Sequence, residues 1–172
     1  RELGTDTFSF AEALKHVLRQ DPDVILIGEM RDPETAAAAL TIAETGQLVL
    51  TTGHSSSAPG AIERIIDLFP IHERSLAQSR LSTLLIGVLC QALVPRADSK
   101  GRIAVTEIML ANSAVRNLIR EGKIYQLPNV IRTSTREGMQ LLDQALVALY
   151  RGRMIDQDNL LSFASDPEQV GE

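Results

Sequence analysis

The sequence is poor in the residues that build disulfides and metal centres. Its 172 residues include one cysteine, three histidines and no tryptophan, and 3% are aromatic. The lone cysteine, Cys90, excludes an internal disulfide, and together with three scattered histidines it cannot form a structural zinc site. Cys90 lies in an apolar run, so we expect a buried, unreactive thiol. The sequence therefore predicts no metal centre and fits a reducing cytoplasm.

The charge and the hydropathy of the chain argue against two further classes of function. The chain carries 17 basic and 22 acidic residues, a net charge of −5, and has no basic tract. We do not expect such an acidic chain to bind nucleic acid. No apolar run reaches the roughly 18 residues of a transmembrane helix, so we expect no direct membrane insertion.

A phosphate-binding motif is missing as well. No segment matches G-x-x-x-x-G-K-[ST], the loop whose backbone amides and lysine surround the phosphates of a bound nucleotide. The chain begins at Arg1, without an initiator methionine or a signal peptide. We interpret it as the C-terminal part of a longer protein, and a complete small domain is the less favoured alternative.

Two short apolar runs, each followed by a polar residue, are the most informative feature present. Val24–Ile27 precedes Glu29, and Gln47–Thr52 precedes His54. Asp32-Pro33 between them is typical of a helix start, which predicts a strand, a helix and a parallel strand. The wholly apolar first strand is typical of the buried middle of a parallel sheet. Because reactive side chains gather at the carboxyl edge of such a sheet, Glu29 and His54 should face one crevice.

The rest of the chain continues the α/β pattern and then becomes helical. We predict helices at 10–20, at 60–68 and from His72, the last with Leu76 facing inward. Antiparallel strands are predicted at 88–94 and 103–110, at one edge of the sheet. After Leu110 we predict helices alone, ending at Gly122 and covering 140–150 and 156–163, with a frayed polar tail from Ala164.

Glu29 and His54 are the side chains that suit phosphate chemistry. A carboxylate just past a strand can accept a hydrogen bond from an attacking water, and Gly28 leaves space for close approach. An imidazole in a small-residue loop can contact a γ-phosphate, assisted by Thr51 and Thr52. The alternatives are a Glu29 that is solvated or paired with Arg31, and a His54 that caps a helix or is solvated.

Four arginines lie near the proposed catalytic edge in the sequence. They are Arg1, Arg19, Arg31 and Arg64. In ring-shaped nucleotide hydrolases an arginine from a neighbouring subunit neutralises charge in the transition state. The alternative is ordinary surface salt bridges, and the sequence does not decide between them.

Taken together, these segments resemble the secretion ATPases that drive type IV pili and type II secretion, and most closely the PilT-type retraction ATPases. Arg1–Gly4 is similar to the end of the family's Asp box, and Leu18–Asp32 to its Walker B segment. Ala43–Gly46 followed by Thr51–Ala58 is similar to its His box, and Ala114–Lys123 to its C-terminal AIRNLIRE-type helix. Extension and type II secretion members usually carry a four-cysteine zinc module, for which this chain lacks the cysteines.

The resemblance implies a RecA-like P-loop core over residues 1–110, a helical region over 111–163 and a flexible tail over 164–172. It implies a cytoplasmic homo-hexamer at the inner membrane that uses ATP and Mg²⁺ to retract pili through a membrane platform protein. Glu29 would be the catalytic glutamate, His54 the γ-phosphate sensor, and Arg1 or Arg19 the residue acting across subunits. Gly28, Thr51 and Thr52 would contact the nucleotide, and residues 114–121 would link nucleotide state to motor output.

The His box departs from the family pattern at three positions. Gly53, Ser55 and Ser56 replace leucine, threonine and asparagine. Glycine loosens the backbone before His54, and the missing amide removes a polar contact. These departures favour a divergent retraction paralogue. Two alternatives stay open: an assembly or secretion ATPase of the same family, and a non-catalytic binding module without its P-loop.

Overall fold

The computed structural model describes residues 21–170, and its first unit is a strand, a helix and a parallel strand. Strand β1 (Val24–Ile27) pairs with β2 (Leu48–Thr51) in parallel, and helix α1 (Pro33–Glu44) connects them. The Asp32 side chain caps α1, and the chain turns towards β2 at Gly46, whose φ of 103° suits glycine. This confirms the predicted strand, helix and parallel strand.

The parallel strands bury one of their two faces. Ile25 and Ile27 are buried and pack with Ala39 and Ile42 of α1. On the opposite face Leu26 is 70% exposed, and it is joined there by Val24, Leu48 and Leu50. The expected burial of β1 therefore holds for the face that α1 covers and is wrong for the other.

Two helices follow β2. Helix α2 (Ala58–Asp67) begins after the N-cap Ser57, and helix α3 (Arg74–Leu84) ends just before the second strand pair. The predicted inward position of Leu76 is wrong, because its side chain is 64% exposed. With the helix starting at Arg74, its inward face carries Ala77 and Leu81, four residues apart.

Strands β3 (Gly87–Pro95) and β4 (Arg102–Leu110) form the predicted antiparallel hairpin. Over residues 21–170 this hairpin is a sheet of its own, so its predicted place at the edge of the β1–β2 sheet is wrong. Packing explains the difference. Cys90 shares an apolar cluster with Ile62 of α2, and Val94 lies in a second cluster with residues of the C-terminal helices. The hairpin is thus placed by helices and not by backbone pairing with β2.

The described residues after β4, up to residue 170, form helices joined by short turns, as predicted. Its helices are α4 (Ser113–Arg120), α5 (Leu127–Thr133), α6 (Leu142–Arg151), α7 (Gln157–Phe163) and α8 (Pro167–Val170). Short 3₁₀ turns at Ile124–Gln126 and Thr135–Glu137 flank α5. Helix α5 was not predicted, because seven residues are too few to show helical periodicity. An isolated antiparallel bridge joins Gln140 to Ile108 and ties the helical region to β4.

Within the expected flexible tail, residues 164–170 include a short helix and contact α6. The carboxylate of Asp143 accepts hydrogen bonds from the backbone amides of Ser165 at 2.7 Å and Asp166 at 3.1 Å. These bonds anchor the start of α8 to α6. The predicted helix at 10–20 lies outside the described residues. From residue 21 to 170 no helix is long and apolar enough to span a membrane.

Candidate active site

The carboxyl ends of β1 and β2 bring the two main predicted site residues together. Glu29 lies two residues after β1, and His54 lies three residues after β2. The Nε2 atom of His54 is 3.6 Å from Oε1 of Glu29. The Thr52 hydroxyl donates a hydrogen bond to the Gly28 carbonyl and so joins the two loops. The prediction that Glu29 and His54 come together at one edge of the sheet is therefore confirmed.

Arg31 holds the other oxygen of the Glu29 carboxylate. Its Nε and a terminal guanidinium nitrogen lie 2.7 and 2.6 Å from Oε2. The Glu29 side chain is 18% exposed, whereas that of Arg31 is 76% exposed. The hydrogen bond from Arg31 lowers the pKa of Glu29 below its ordinary value, and partial desolvation opposes this effect. Glu29 is therefore an ionised hydrogen-bond acceptor at neutral pH, and its Oε1 faces His54.

The backbone around His54 is fixed while its imidazole is open to solvent. A guanidinium nitrogen of Arg64 donates to the His54 carbonyl at 3.0 Å. The hydroxyl of Ser55, one of the departures from the family pattern, donates to the Ser57 carbonyl at 2.9 Å. The His54 side chain is 77% exposed. The loop thus presents an accessible imidazole from an anchored backbone.

This edge of the sheet has room for part of a nucleotide. A Cβ atom added at Gly28 or Gly53 would meet nothing within 4 Å, so phosphate oxygens can approach the backbone there. Mg²⁺ prefers carboxylate oxygens, and Glu29 supplies one. Across residues 21–170 no group of three or more His, Cys, Asp or Glu side chains is arranged to hold a metal ion. The residues therefore fit the phosphate end of a bound nucleotide and not a complete metal cage.

The structure separates the remaining predicted site residues into two groups. Thr51 ends β2 at the same edge, and Arg31 and Arg64 contact Glu29 and the His54 loop. Arg1 and Arg19 lie outside the described residues. Sequence reasoning offered the Glu29–Arg31 pair as an alternative, and the structure shows it. The contact of Arg64 with the His54 loop was not predicted.

Two arginines connect α1 with α3 and α3 with α4. Arg80 of α3 forms a two-pronged ion pair with Glu44 of α1, at 2.7 and 2.9 Å. Arg116 of α4 donates to the carbonyls of Ser82, at 3.1 Å, and Thr83 at the end of α3. These contacts form a continuous connection from the helix that follows Glu29 to α4.

One buried carboxylate was missed by the sequence analysis. Glu107 in β4 is 4% exposed. Its Oε1 accepts a hydrogen bond from the Ala58 amide at 2.7 Å, and its Oε2 accepts one from the Leu142 amide at 3.2 Å. The signal was present in the sequence, because Glu107 shares the inward alternation of Val105 and Met109. A charged residue at an inward strand position indicates a specific hydrogen-bonding role.

One known family model matches most of this chain. The sequence model described as "Type II/IV secretion system protein" matches residues 4–155. The chain belongs to this family. The matched segment includes both strands of the candidate site, the hairpin and most of the helical region. The family assignment therefore rests on the same part of the chain that carries Glu29 and His54.

Relatives of this chain have names that refer to twitching motility and to type IV pili. A twitching motility protein of Neisseria gonorrhoeae is 52% identical over 170 residues, 99% of this chain and 46% of that protein. A Pseudomonas aeruginosa protein named "Type IV pilus retractation ATPase PilT" is 46% identical, over 98% of this chain and 48% of that protein.

A solved structure of the family shares the α/β fold. The crystal structure of the pilus retraction motor PilT with bound ADP matches with a TM-score of 0.88 and 41% identity. The match covers 98% of this chain and 47% of that chain. The chain thus spans about half the length of the relatives that it matches.

Proposed function

We propose that this chain supplies the C-terminal half of a RecA-like ATPase that powers retraction of type IV pili. The observation that carries the proposal is the carboxylate of Glu29 facing the imidazole of His54 at the carboxyl edge of a parallel strand pair. Relatives named as a twitching motility protein and as a PilT ATPase support the same reading. The P-loop would lie in the other half of the protein.

Glu29 orients the attacking water in this proposal. Phosphoryl transfer needs a positioned nucleophile and charge stabilisation more than it needs a strong base. The hydrogen bond from Arg31 lowers the pKa of Glu29, so the carboxylate stays ionised and accepts a hydrogen bond from water. Because Arg31 occupies Oε2, Oε1 is the oxygen available to the water. Arg31 is therefore a positioning residue for Glu29.

His54 contacts the γ-phosphate and responds to its loss. Its imidazole is exposed at this edge of the sheet, and Arg64 donates a hydrogen bond to the backbone that carries it. Gly28, Thr51 and Thr52 line the same edge and are assigned to the phosphate side of ATP. To donate to a phosphate oxygen, the Thr52 hydroxyl would have to release its hydrogen bond to the Gly28 carbonyl. A bound Mg²⁺ would neutralise phosphate charge, beside Glu29 and residues of the P-loop.

The complete motor is proposed to be a homo-hexamer at the cytoplasmic face of the inner membrane. Arg1 or Arg19 acts on the nucleotide of a neighbouring subunit, as arginines do in related hydrolases. The connection through Arg80 and Arg116 lets α4 report the state of the site to a membrane platform protein.

Steady-state ATPase activity of the full-length protein tests the role of Glu29. The Glu29→Gln variant removes the negative charge and keeps the shape of the side chain. Loss of a water-orienting carboxylate should lower kcat on the order of 100-fold or more. Glu34→Gln is the matched control, because Glu34 is an exposed glutamate in the first turn of α1. It should retain nearly full activity.

The ATPase assay has three outcomes that distinguish between the proposed roles of the protein. Loss of activity in Glu29→Gln alone, with the oligomer intact by light scattering, supports the proposal. Equal rates for Glu29→Gln and the unmodified protein would exclude Glu29 as the water-orienting group. An unmodified protein that binds ATP and does not hydrolyse it would be a binding or assembly subunit instead.

A further inference from the structure

Glu107 is a buried charge on an otherwise apolar strand face. It lies in β4 between the inward-facing Val105 and Met109, opposite Cys90 of β3. Burying an ionised carboxylate is costly unless hydrogen-bond donors replace the lost water. A carboxylate at such a position is therefore expected to have partners that need it.

Both partners of Glu107 are the first amides of helices. Ala58 begins α2 and donates to Oε1 at 2.7 Å, and Leu142 begins α6 and donates to Oε2 at 3.2 Å. The amides at the start of a helix have no partner within the helix, and the helix dipole is positive there. One carboxylate thus stabilises two helix starts that come from distant parts of the chain.

One of these helix starts lies beside the candidate active site. Ala58 is four residues after His54, and the loop between them is short. Arg64 holds this loop at the His54 carbonyl, and Glu107 holds it at the Ala58 amide. Glu107 therefore fixes the end of the His54 loop that leads into α2.

The other helix start belongs to the C-terminal helical region. Helix α6 packs with Val94 and Val105 of the hairpin in the second apolar cluster. The bond to the Leu142 amide is its polar connection to the buried face of β4. A displacement of α6 would change the position of the carboxylate that also holds Ala58.

We propose that Glu107 is a positioning residue that couples the His54 loop to the start of α6. Through it, the placement of the C-terminal helical region sets the position of His54 relative to Glu29. This inference rests on the proposed function for its catalytic consequence, but the coupling itself is a property of the fold.

The sharpest test removes one amide and leaves Glu107 in place. Leu142→Pro deletes the N–H that donates to Oε2. Proline is well tolerated at the first position of a helix, and the extended backbone of Leu141, with φ −78° and ψ 154°, is compatible with a following proline. Leu142→Ala is the matched control, because it loses similar apolar packing and keeps the N–H.

Hydrogen exchange of the full-length protein measures the coupling between α6 and the His54 loop and does not depend on ATPase activity. We expect amides of residues 53–60 to exchange faster in Leu142→Pro than in Leu142→Ala, although the substitution lies more than 80 positions away in the sequence. We also expect kcat for ATP hydrolysis to fall about tenfold, with little change in KM for ATP, because His54 would be misplaced.

Glu107→Gln is the second variant. The side-chain oxygen of the glutamine can accept a hydrogen bond from the backbone N–H of one helix start. Its NH₂ group would face the backbone N–H of the other helix start, and two donors form no hydrogen bond. We expect faster exchange at both 53–60 and the start of α6. Identical exchange at 53–60 in Leu142→Pro and Leu142→Ala would overturn the coupling. A protein without ATPase activity would refute the proposed function instead, and the exchange result would still decide the role of Glu107.

Discussion

The start of α1 offers a stability prediction whose size can be worked out from the contacts. The carboxylate of Asp32 accepts two hydrogen bonds from Thr35, one from its backbone amide at 2.7 Å and one from its hydroxyl at 2.8 Å. Asp32 is exposed, whereas Thr35 is 1% exposed. Alanine at position 32 therefore removes a helix cap and also leaves a buried hydroxyl without its acceptor.

The two losses have separate magnitudes. Removing an N-cap side chain costs about 1 kcal/mol, and leaving a buried hydroxyl unsatisfied costs about 1–3 kcal/mol. We therefore expect Asp32→Ala to lower the free energy of unfolding by about 2–4 kcal/mol. Asp32→Asn should cost much less, because the amide oxygen still caps Thr35 and the Thr35 hydroxyl can rotate to accept from the amide NH₂.

A double-mutant cycle with Thr35→Val isolates the hydroxyl. In that background Asp32→Ala should cost only the cap, about 1 kcal/mol. The assay is urea unfolding of the 172-residue chain, followed by circular dichroism and accepted only where the m-values agree. An equal cost of Asp32→Ala in both backgrounds, or an Asn variant as unstable as the Ala variant, would refute this reasoning.

Two further predictions concern single ionisable groups. Burial, and to a lesser extent the charge of Glu107, raises the pKa of the Cys90 thiol to about 11, so a disulfide reagent at neutral pH should label Cys90 only after unfolding. Ready labelling of the folded chain would contradict this. In the β3–β4 turn, the hydrogen bond from Arg96 and then the Lys100 amide lower the pKa of Asp98 from 3.8 to about 2. Because the pKa of Asp98 is lower in the folded chain, the hydrogen bonds to its ionised carboxylate stabilise the fold above pH 3.8. This stabilisation is lost as the pH falls through about 2. An NMR titration should find the Asp98 midpoint near 2 and a higher one in Arg96→Ala, and a midpoint near the ordinary value in the unmodified chain would exclude the pairing.

The sequence predicted those parts of the fold that depend on local chemistry. Asp32-Pro33 fixed the start of α1, and the polar turn after Pro95 predicted the hairpin. Because β1 and β2 are parallel, the approach of Glu29 to His54 followed from topology alone. Local signals of this kind are strong since caps and turns depend on a few neighbouring residues.

The features that the sequence did not predict depend on contacts between distant residues. The hairpin is placed by packing on helices, and the tail is held by Asp143, 22 and 23 residues away from the amides it binds. The partners of Glu107 lie even farther along the chain. No periodicity within a short window contains such information, so the buried carboxylate was visible only as a charge on an apolar strand.

The two bonds of Glu107 also bear on how the chain folds. They span 49 and 35 residues, so the carboxylate gains both partners only when α2, β4 and α6 have come together. A folding intermediate that buries the hairpin before either helix has docked would hold an unsatisfied charge in apolar surroundings, which is strongly unfavourable. Such intermediates are disfavoured, and the three segments are expected to fold in one cooperative step.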